Sequence, residues 1–167
     1  MSTKSVRARN KVLANEAFID FCHQCRVRNL RIVFTNGCFD ILHIGHLRYL
    51  EEAKAMGDVL VVAVNSDSSV KTIKGNTRPI IPESARAELV AGLHCVDAVT
   101  IFDTPTPLPL IMRTRPDVLV KGGDWSLDAI VGKDFVESYG GQVKIVPIFQ
   151  GYSTTEIIRK IITIGKE

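Results

Sequence analysis

The apolar residues of this chain recur at two spacings, one typical of strands and one typical of helices. Residues 59–64, VLVVAV, are an uninterrupted apolar run, which predicts a parallel strand covered by helices on both faces. Residues 13–25 carry apolar side chains at helical spacing and predict a helix. The predicted strands are residues 31–35, 59–64, 98–102, 117–120 and 143–148, and the later predicted helices are residues 47–54, 83–93, 107–114, 127–139 and 153–164.

Strands that alternate with helices predict the α/β class, with a doubly wound, Rossmann-like parallel sheet of about five strands in a single domain. A sheet of this kind binds its ligand outside the carboxyl ends of the strands, where the strand order reverses. We therefore expect the polar residues that follow the strands to converge on one site.

The segment between the second predicted strand and the next helix, residues 65–82, is polar and long. It contains Lys71, Lys74, Gly75, Arg78 and Pro79. Long loops in compact domains are usually lids or binding loops. We expect this segment to be a functional loop.

Composition and charge exclude several classes of protein. A chain of 167 residues with 46% apolar residues can bury a sizeable core, which excludes a disordered chain and a disulfide-built mini-protein. The net charge of +3 is too small to indicate a nucleic-acid partner and fits a protein that handles a small anion. The longest apolar run is too short to span a membrane, and the basic N-terminus lacks the apolar region of a signal peptide, so we expect a cytoplasmic protein.

One cysteine pair, CHQC at residues 22–25, has the spacing of a redox or half-zinc motif. It lacks a second ligand pair, and Cys25 continues the apolar stripe of the first predicted helix. The spacing favours a packed structural role, with metal or redox chemistry as the alternative.

The first predicted strand is followed by TNGCFDILHIGH, residues 35–46. Gly37 permits a sharp turn and a close approach to a ligand. Gly45 lies where the chain enters a helix, whose N-terminus offers N–H groups to a phosphate. His43 and His46 are three residues apart and can point to the same side. The segment is neither a P-loop nor a GxGxxG dinucleotide fingerprint.

These residues resemble the GxFDxxHxGH signature of the cytidylyltransferase-like nucleotidyltransferases. Two further segments agree with the resemblance: GYSTTEII at residues 151–158 is similar to the segment that opens the family's last helix, and KGGDW at residues 121–125 is similar to the turn that contacts the base. The resemblance covers residues 31–167. It implies a nucleotidyltransferase domain at residues 29–167, preceded by an N-terminal helical extension at residues 1–28.

Within this superfamily, the chain is most similar to the stand-alone adenylyltransferases that make ADP-heptose for lipopolysaccharide. The similarity rests on FTNGCFDILHIGH at residues 34–46, VAVNSD at 62–67 and KTIKGNTRP at 71–79, together with VKGGD and STT. The glycerol-3-phosphate cytidylyltransferases are also similar but carry an Arg before the STT segment, where residues 147–151 here read PIFQG. The resemblance therefore implies transfer of AMP from ATP to a heptose 1-phosphate.

The resemblance also implies the site residues. His43 and His46 donate hydrogen bonds to the α-phosphate, and Lys74 closes on the phosphates. The expected nucleotide-binding residues are Thr35, Asn36, Gly37, Cys38, Phe39, Asp40, Gly45, Lys121, Gly123, Asp124, Ser153, Thr154 and Thr155. The expected substrate-binding residues are Lys71, Arg78 and Arg86.

Several of these roles have an alternative. Lys74 and Lys71 can instead be solvated lysines on a mobile loop, and Ser153 can simply cap the last helix. Asp40 either orients a histidine or holds the fold together. Arg86 either closes the substrate side or is a charge on a helix surface.

The predicted reaction also implies its small molecules. Mg²⁺ is expected because it neutralises a triphosphate while keeping mostly water and phosphate ligands. No carboxylate cluster offers a protein cage, so no metal ligand is assigned. The expected partners are ATP and a sugar 1-phosphate, and the resemblance suggests a homodimer. The alternatives are a cytidylyltransferase acting on glycerol 3-phosphate or another phosphorylated alcohol, and a nucleotide-binding module without turnover.

Overall fold

The strand β2 (Val59–Asn65) is buried at every position and pairs in parallel with β1 (Ile32–Gly37) and β3 (Ala98–Phe102). The structure is a computed structural model that describes residues 7–123, 126–147 and 151–165. In this described part of the chain, β4 (Val118–Gly122) and β5 (Gln142–Val146) complete a five-stranded parallel sheet in the order β3-β2-β1-β4-β5.

This order confirms the predicted doubly wound α/β fold. The chain winds from β1 through β2 to β3 on one side, and then returns to place β4 against the other side of β1. The strand order thus reverses between β1 and β4, which is where a sheet of this kind binds ligands. The helices of the described residues are α1 (Asn15–Val27), α2 (Ile44–Lys54), α3 (Asp67–Lys74), α4 (Glu83–Ala91), α5 (Leu108–Thr114), α6 (Lys133–Ser138) and α7 (Thr154–Ile164).

Apolar side chains cover both faces of the sheet, as the continuous apolar run of β2 predicts. On one face, Val62 of β2 packs in a cluster with Leu50 of α2 and Val90 of α4. On the other face, Val61 belongs to a cluster with Phe18 of α1 and Ile111 of α5. Because apolar side chains cover both faces, the ends of the strands are where this sheet can present polar side chains to a ligand.

The Cys22–Cys25 pair lies in this core. Both thiols are buried in the cluster that contains Phe18, which confirms the packed structural role. Burial raises the pKa of the Cys22 thiol to about 12 because it disfavours the thiolate. Metals and disulfides react with the thiolate, so this burial opposes metal or redox chemistry at the pair.

The expectation that residues 65–82 form a loop throughout is wrong, because α3 lies within them. Ser66 caps α3 by accepting a hydrogen bond from the N–H of Ser69 at 3.1 Å, and Val70 is fully buried against the core. One buried apolar residue and an N-cap hold this short, mostly polar helix on the sheet. Such a helix has too few apolar residues to show a helical repeat in the sequence, so it was not predicted. The helix ends at Gly75, which has a φ of 95°.

The prediction of one helix over residues 127–139 is also wrong. A 3₁₀ turn at Leu127–Ala129 is separated from α6 by Gly132, whose φ is 92°. A Cβ at Gly132 would lie 2.9 Å from Cδ1 of Ile111, so a larger residue would be both strained and crowded against the core at this break. The last strand ends at Val146, and residue 148, which the prediction included, lies outside the described residues.

The N-terminal segment packs on the sheet. The N–H of Leu13 donates to the carbonyl of Val99 at 2.8 Å, and the hydroxyl of Thr100 donates to the carbonyl of Leu13 at 2.9 Å. The boundary between an extension at 1–28 and a domain at 29–167 stays a prediction. Among the described residues, no helix is both long and apolar enough to cross a membrane.

Candidate active site

A cleft of about 560 Å³ opens at the carboxyl ends of β1 and β4, where the strand order reverses. The fold brings most of the predicted site residues to it. Those that line the cleft are Asn36, Gly37, Cys38, Phe39, Asp40, His43, Gly45, His46, Lys74, Arg78, Lys121, Ser153, Thr154 and Thr155.

Four other predicted residues do not line this cleft. Thr35 is buried beneath it, with its hydroxyl bonded to the hydroxyl of Tyr49. Gly123 is buried and donates its N–H to the carbonyl of Val146 at 3.0 Å. Lys71 is exposed on α3, and Arg86 is fully buried. Asp124 lies outside the described residues, so its predicted role stays a prediction.

His43 and His46 form a stacked pair at the start of α2. Their ring centroids are 3.8 Å apart, and their planes are inclined by 24°. The backbone N–H of His43 donates to Nδ1 of His46 at 3.4 Å. Because Nδ1 accepts this bond, a neutral His46 ring carries its proton on Nε2, as a donor.

Both rings are held in the neutral form. Burial, together with the neighbouring His43, lowers the pKa of His46 to about 4, and burial lowers the pKa of His43 as well. Nδ1 of His43 is shielded and has no hydrogen-bond partner among the described residues. At neutral pH the pair is therefore a set of uncharged N–H donors.

The glycine between them, Gly45, lies directly against the His43 ring. A Cβ at Gly45 would lie 3.0 Å from both Cε1 and Nδ1 of His43. A larger residue at this position would therefore crowd the His43 ring, which would have to shift by a few tenths of an ångström.

Asp40 holds the fold, which was one of its two predicted roles, and the described structure shows no bond from it to a histidine. Its carboxylate accepts the N–H groups of Ile80 and Ile81 at 2.9–3.0 Å and the Nε–H of Arg78 at 2.6 Å. Burial by itself would raise the pKa of the Asp40 carboxyl, but these hydrogen bonds outweigh burial and hold the pKa below its ordinary value. Asp40 thereby fixes the end of the segment that follows α3.

Arg86 is not the surface charge that was its alternative, because its side chain is fully buried. Its guanidinium donates to the carbonyls of Ile81 and Cys38 and forms an ion pair with Asp67 at 2.7 Å. It thus ties the first motif to α3 and to the segment that Asp40 holds. Its predicted contact with substrate stays a prediction.

The N-terminus of α7 closes one side of the cleft. Ser153 is the N-cap: its Oγ accepts the N–H of Glu156 at 3.1 Å, as the structural alternative predicted. The hydroxyl of Thr154 is also engaged within the protein, on the carbonyl of Asp40. Thr155 is exposed, and the first N–H groups of the helix have no partner within the helix.

Two lysines reach the cleft from opposite sides of β1. Lys74 lies in the last turn of α3, which follows β2, and it is exposed. Lys121 lies near the end of β4, and its Nζ donates to Oδ1 of Asn36 at 2.5 Å. Neither lysine forms an ion pair with a carboxylate in the described part of the chain.

Sequence reasoning did not assign several cleft residues, which are Tyr49, Asn65, Ile73, Pro105, Pro107 and Pro147. Asn65 ends β2, and both Pro105 and Pro107 follow β3, so the rule about strand ends could have found them. Tyr49 comes from the middle of α2 and carries no such signal. Tyr152, the residue before the helix cap Ser153, also lines the cleft.

The cleft therefore combines neutral imidazole donors, two unneutralised ammonium groups and a helix N-terminus. This combination suits a ligand with several phosphate groups. Within the described residues, no three His, Cys, Asp or Glu side chains are grouped as a metal site, and the Asp40 carboxylate is fully engaged by the protein. A divalent cation would have to arrive mainly on phosphate and water ligands.

One family model and several curated proteins match this chain. A family model described as cytidylyltransferase-like matches residues 34–160. The bifunctional protein HldE of Koribacter versatilis is 54% identical over 153 residues, which are 92% of this chain and 32% of that protein. The HldE of Geobacter metallireducens is 56% identical over 137 residues, which are 82% of this chain and 28% of that protein. The chain spans about a third of the length of these curated relatives.

Solved structures agree with the fold. A lipopolysaccharide core biosynthesis protein from Thermoplasma volcanium is 34% identical, with a TM-score of 0.59, and the match covers 74% of this chain and 99% of that one. A pantoate-beta-alanine ligase from Francisella tularensis is 16% identical, with a TM-score of 0.60, and the match covers 93% of this chain and 79% of that one. At 16% identity this second likeness concerns the fold alone.

Proposed function

The chain belongs to the cytidylyltransferase-like family, and we propose that it transfers AMP from ATP to a heptose 1-phosphate, giving ADP-heptose and pyrophosphate. The observation that carries this proposal is the stacked pair of neutral His43 and His46 rings, in a cleft that Lys74 and Lys121 also line. Two comparisons support the heptose substrate. The chain is 54% and 56% identical to the two HldE relatives, and it is similar to a lipopolysaccharide core biosynthesis protein.

The proposed reaction is an in-line displacement at the α-phosphorus of ATP. An oxygen of the sugar phosphate forms the new bond to phosphorus, and the bond to the bridging oxygen of the β-phosphate breaks. That oxygen leaves with the electron pair, as pyrophosphate. A phosphate is already ionised at neutral pH, so no general base is required, and catalysis rests on positioning and charge stabilisation.

His43 and His46 supply hydrogen bonds to the α-phosphate as negative charge develops. His46 suits this role because the hydrogen bond at Nδ1 places its proton on Nε2, and the stacking fixes the ring before substrate arrives. One preorganised donor of this kind contributes a factor of about 10²–10³ in rate.

The β- and γ-phosphates are assigned to Lys74 and to the N-terminus of α7. Lys74 is exposed at the end of α3 and supplies a point charge. Thr155 and the first N–H groups of α7 supply hydrogen bonds. Mg²⁺ arriving with the triphosphate would neutralise part of its charge, and we assign it no protein ligand.

The base is assigned to the ends of β4 and β5, near Gly122 and Tyr152, both of which line the cleft. Asp124 lies outside the described residues and stays a base contact predicted from the sequence. No arginine stands in residues 147–151, which leaves room for a purine. This supports ATP over CTP.

The test is pyrophosphate release from a panel of ATP, CTP, GTP and UTP against heptose 1-phosphate, other sugar 1-phosphates and glycerol 3-phosphate. The proposal expects the highest kcat/KM with ATP and heptose 1-phosphate. His23→Ala is the control for the cleft histidines, because His23 is exposed on α1, away from the cleft.

Other results of the panel would replace parts of the proposal. Turnover of CTP with glycerol 3-phosphate would favour the cytidylyltransferase alternative. Tight ATP binding without turnover of any acceptor would favour a binding module.

We also propose a homodimer. Among the described residues of α7 none is buried, and Ile161, Ile162 and Ile164 are 53–60% exposed. A second copy of the chain would cover such an apolar face. Sedimentation equilibrium of the wild type and of Ile161→Glu tests this, and a monomeric wild type would contradict it. The cytoplasm, where ATP is made, stays the expected compartment.

A further inference from the structure

Four cations surround the turn that begins at Cys38, and only two of them are neutralised. Arg78 forms an ion pair with Asp40, and Arg86 forms one with Asp67. Lys74 and Lys121 have no carboxylate partner among the described residues. Lys74 is exposed to solvent, whereas Lys121 is largely enclosed by the cleft wall.

The surroundings of Lys121 disfavour its charge. Burial lowers the pKa of the Lys121 ammonium to about 8 and outweighs the opposing effect of the nearby Cys38. The nearest acceptor is Oδ1 of Asn36, an amide dipole that cannot neutralise a cation. A buried charge without a counter-ion is costly, and an anionic ligand would remove that cost.

Asn36 also sets where Lys121 points. It lies on β1, the strand next to β4, and both residues line the cleft. One N–H of the ammonium is engaged by Asn36, and an ammonium has three, so two are left to bind a ligand.

We propose that Lys121, oriented by Asn36, binds a phosphate oxyanion of the reacting pair at the β1–β4 end of the cleft. This proposal rests on the proposed function, which brings two polyanions into one cleft. Lys74 lies on α3, which follows β2, and Lys121 lies near the end of β4, so the two cations approach from opposite sides of β1. Lys74 serves the β- and γ-phosphates, and Lys121 serves either the acceptor phosphate or the α-phosphate of the nucleotide.

The first experiment measures binding by calorimetry for the wild type, Lys121→Met and Lys121→Arg. The ligands are ATP, AMP, adenosine and heptose 1-phosphate. The matched control is Lys144→Met, because Lys144 is exposed on β5 and does not line the cleft. Methionine keeps the length and apolar stem of lysine, and thermal unfolding checks that each variant is folded.

The proposal expects Lys121→Met to weaken one phosphate ligand at least tenfold and adenosine less than twofold. A loss confined to heptose 1-phosphate assigns Lys121 to the acceptor, and a loss for AMP and ATP assigns it to the α-phosphate. Lys121→Arg, which keeps the charge, recovers part of the loss. Unchanged affinity for every phosphate ligand, or an equal loss for adenosine, would overturn the proposal.

The second experiment follows protons. At pH 8.5, part of the Lys121 population is neutral, so binding of an anion beside it must take up protons. Binding enthalpies in two buffers with different ionisation enthalpies reveal this uptake in the wild type, and Lys121→Met should lose it. Equal uptake by the two proteins would overturn the proposal.

A third variant tests the orienting role of Asn36. Asn36→Asp places a carboxylate against the ammonium, so it should weaken the same phosphate ligand that Lys121→Met weakens. Equal or tighter binding of that ligand by Asn36→Asp would overturn the pairing. These binding measurements need no turnover, so they separate failure of this proposal from failure of the proposed reaction.

Discussion

The hydroxyl of Thr154 donates to the main-chain carbonyl of Asp40 at 2.7 Å, across 114 positions in the sequence. Thr154 is the first residue of α7, and Asp40 lies in the turn between β1 and α2. The bond therefore fixes the N-terminus of α7 against the turn that leads to His43 and His46. It joins the part of the cleft that we assign to the phosphate tail with the part that we assign to the reacting phosphorus.

His46→Ala should lower turnover by about 10²-fold or more, because it removes a preorganised donor to the α-phosphate. The affinity for ATP should change little, since the donor acts mainly in the transition state. Initial rates of pyrophosphate release and calorimetric ATP binding check both statements. His46→Asn is a second variant, made in case His46→Ala does not fold. Turnover of either variant within fivefold of wild type would contradict a catalytic role for His46.

The lowered pKa of His46 makes stability depend on pH. In the folded state His46 has a pKa of about 4, whereas an unfolded histidine has an ordinary pKa of about 6.5. Between these values the unfolded state holds more protons, so stability falls as the pH is lowered from 6.5 towards 4. Urea midpoints across this range should fall more steeply for wild type than for His46→Asn. Parallel curves for the two proteins would show that His46 is not buried as a neutral ring.

Lys74→Ala should weaken ATP more than AMP, because AMP lacks the phosphates that we assign to Lys74. We expect at least a tenfold loss for ATP and less than a twofold loss for AMP by calorimetry. Lys144→Ala is the control outside the cleft. Equal losses for the two nucleotides would contradict the assignment, and the same measurement on Lys71→Ala decides whether Lys71 contacts substrate.

Arg86→Met should destabilise the fold by at least about 2 kcal/mol, because it leaves Asp67 and the carbonyls of Cys38 and Ile81 without their donor. Chemical denaturation measures this loss. Arg113→Met is the matched control, because Arg113 pairs with Glu16 at an exposed site. This substitution should lower the free energy of unfolding much less than Arg86→Met does. Equal effects of the two substitutions would show that the buried contacts of Arg86 do not hold the fold.

We expect ATP to exceed CTP by at least tenfold in kcat/KM, which corresponds to about 1.4 kcal/mol. A site that hydrogen-bonds one base rejects another strongly, because its own polar groups are left unpaired. Competition between the two nucleotides in a single reaction, analysed by the products formed, gives the ratio directly. Equal use of CTP would overturn the heptose assignment and leave the nucleotidyltransferase proposal intact.

Local sequence determined much of this protein. The apolar run at residues 59–64, flanked by helical periodicity, specified a parallel sheet covered on both faces, because burial on both sides requires that pattern. Gly37, His43, Gly45 and His46 were found from their spacing after a strand, since strand ends meet at one edge of the sheet.

Contacts between distant segments were decided only by the tertiary structure. The sequence around Arg86 does not show whether its side chain is solvated or buried. Burial is favourable because the guanidinium donates to the carbonyls of Ile81 and Cys38 and to the carboxylate of Asp67. Asp40 likewise acquired its role from N–H groups 40 and 41 positions away. The α3 helix is stable because Val70 is buried and Ser66 caps it, although its own sequence is mostly polar. Local pattern fixes which residues face inward, whereas the partners of a buried polar group depend on the packing of segments that are far apart in the chain.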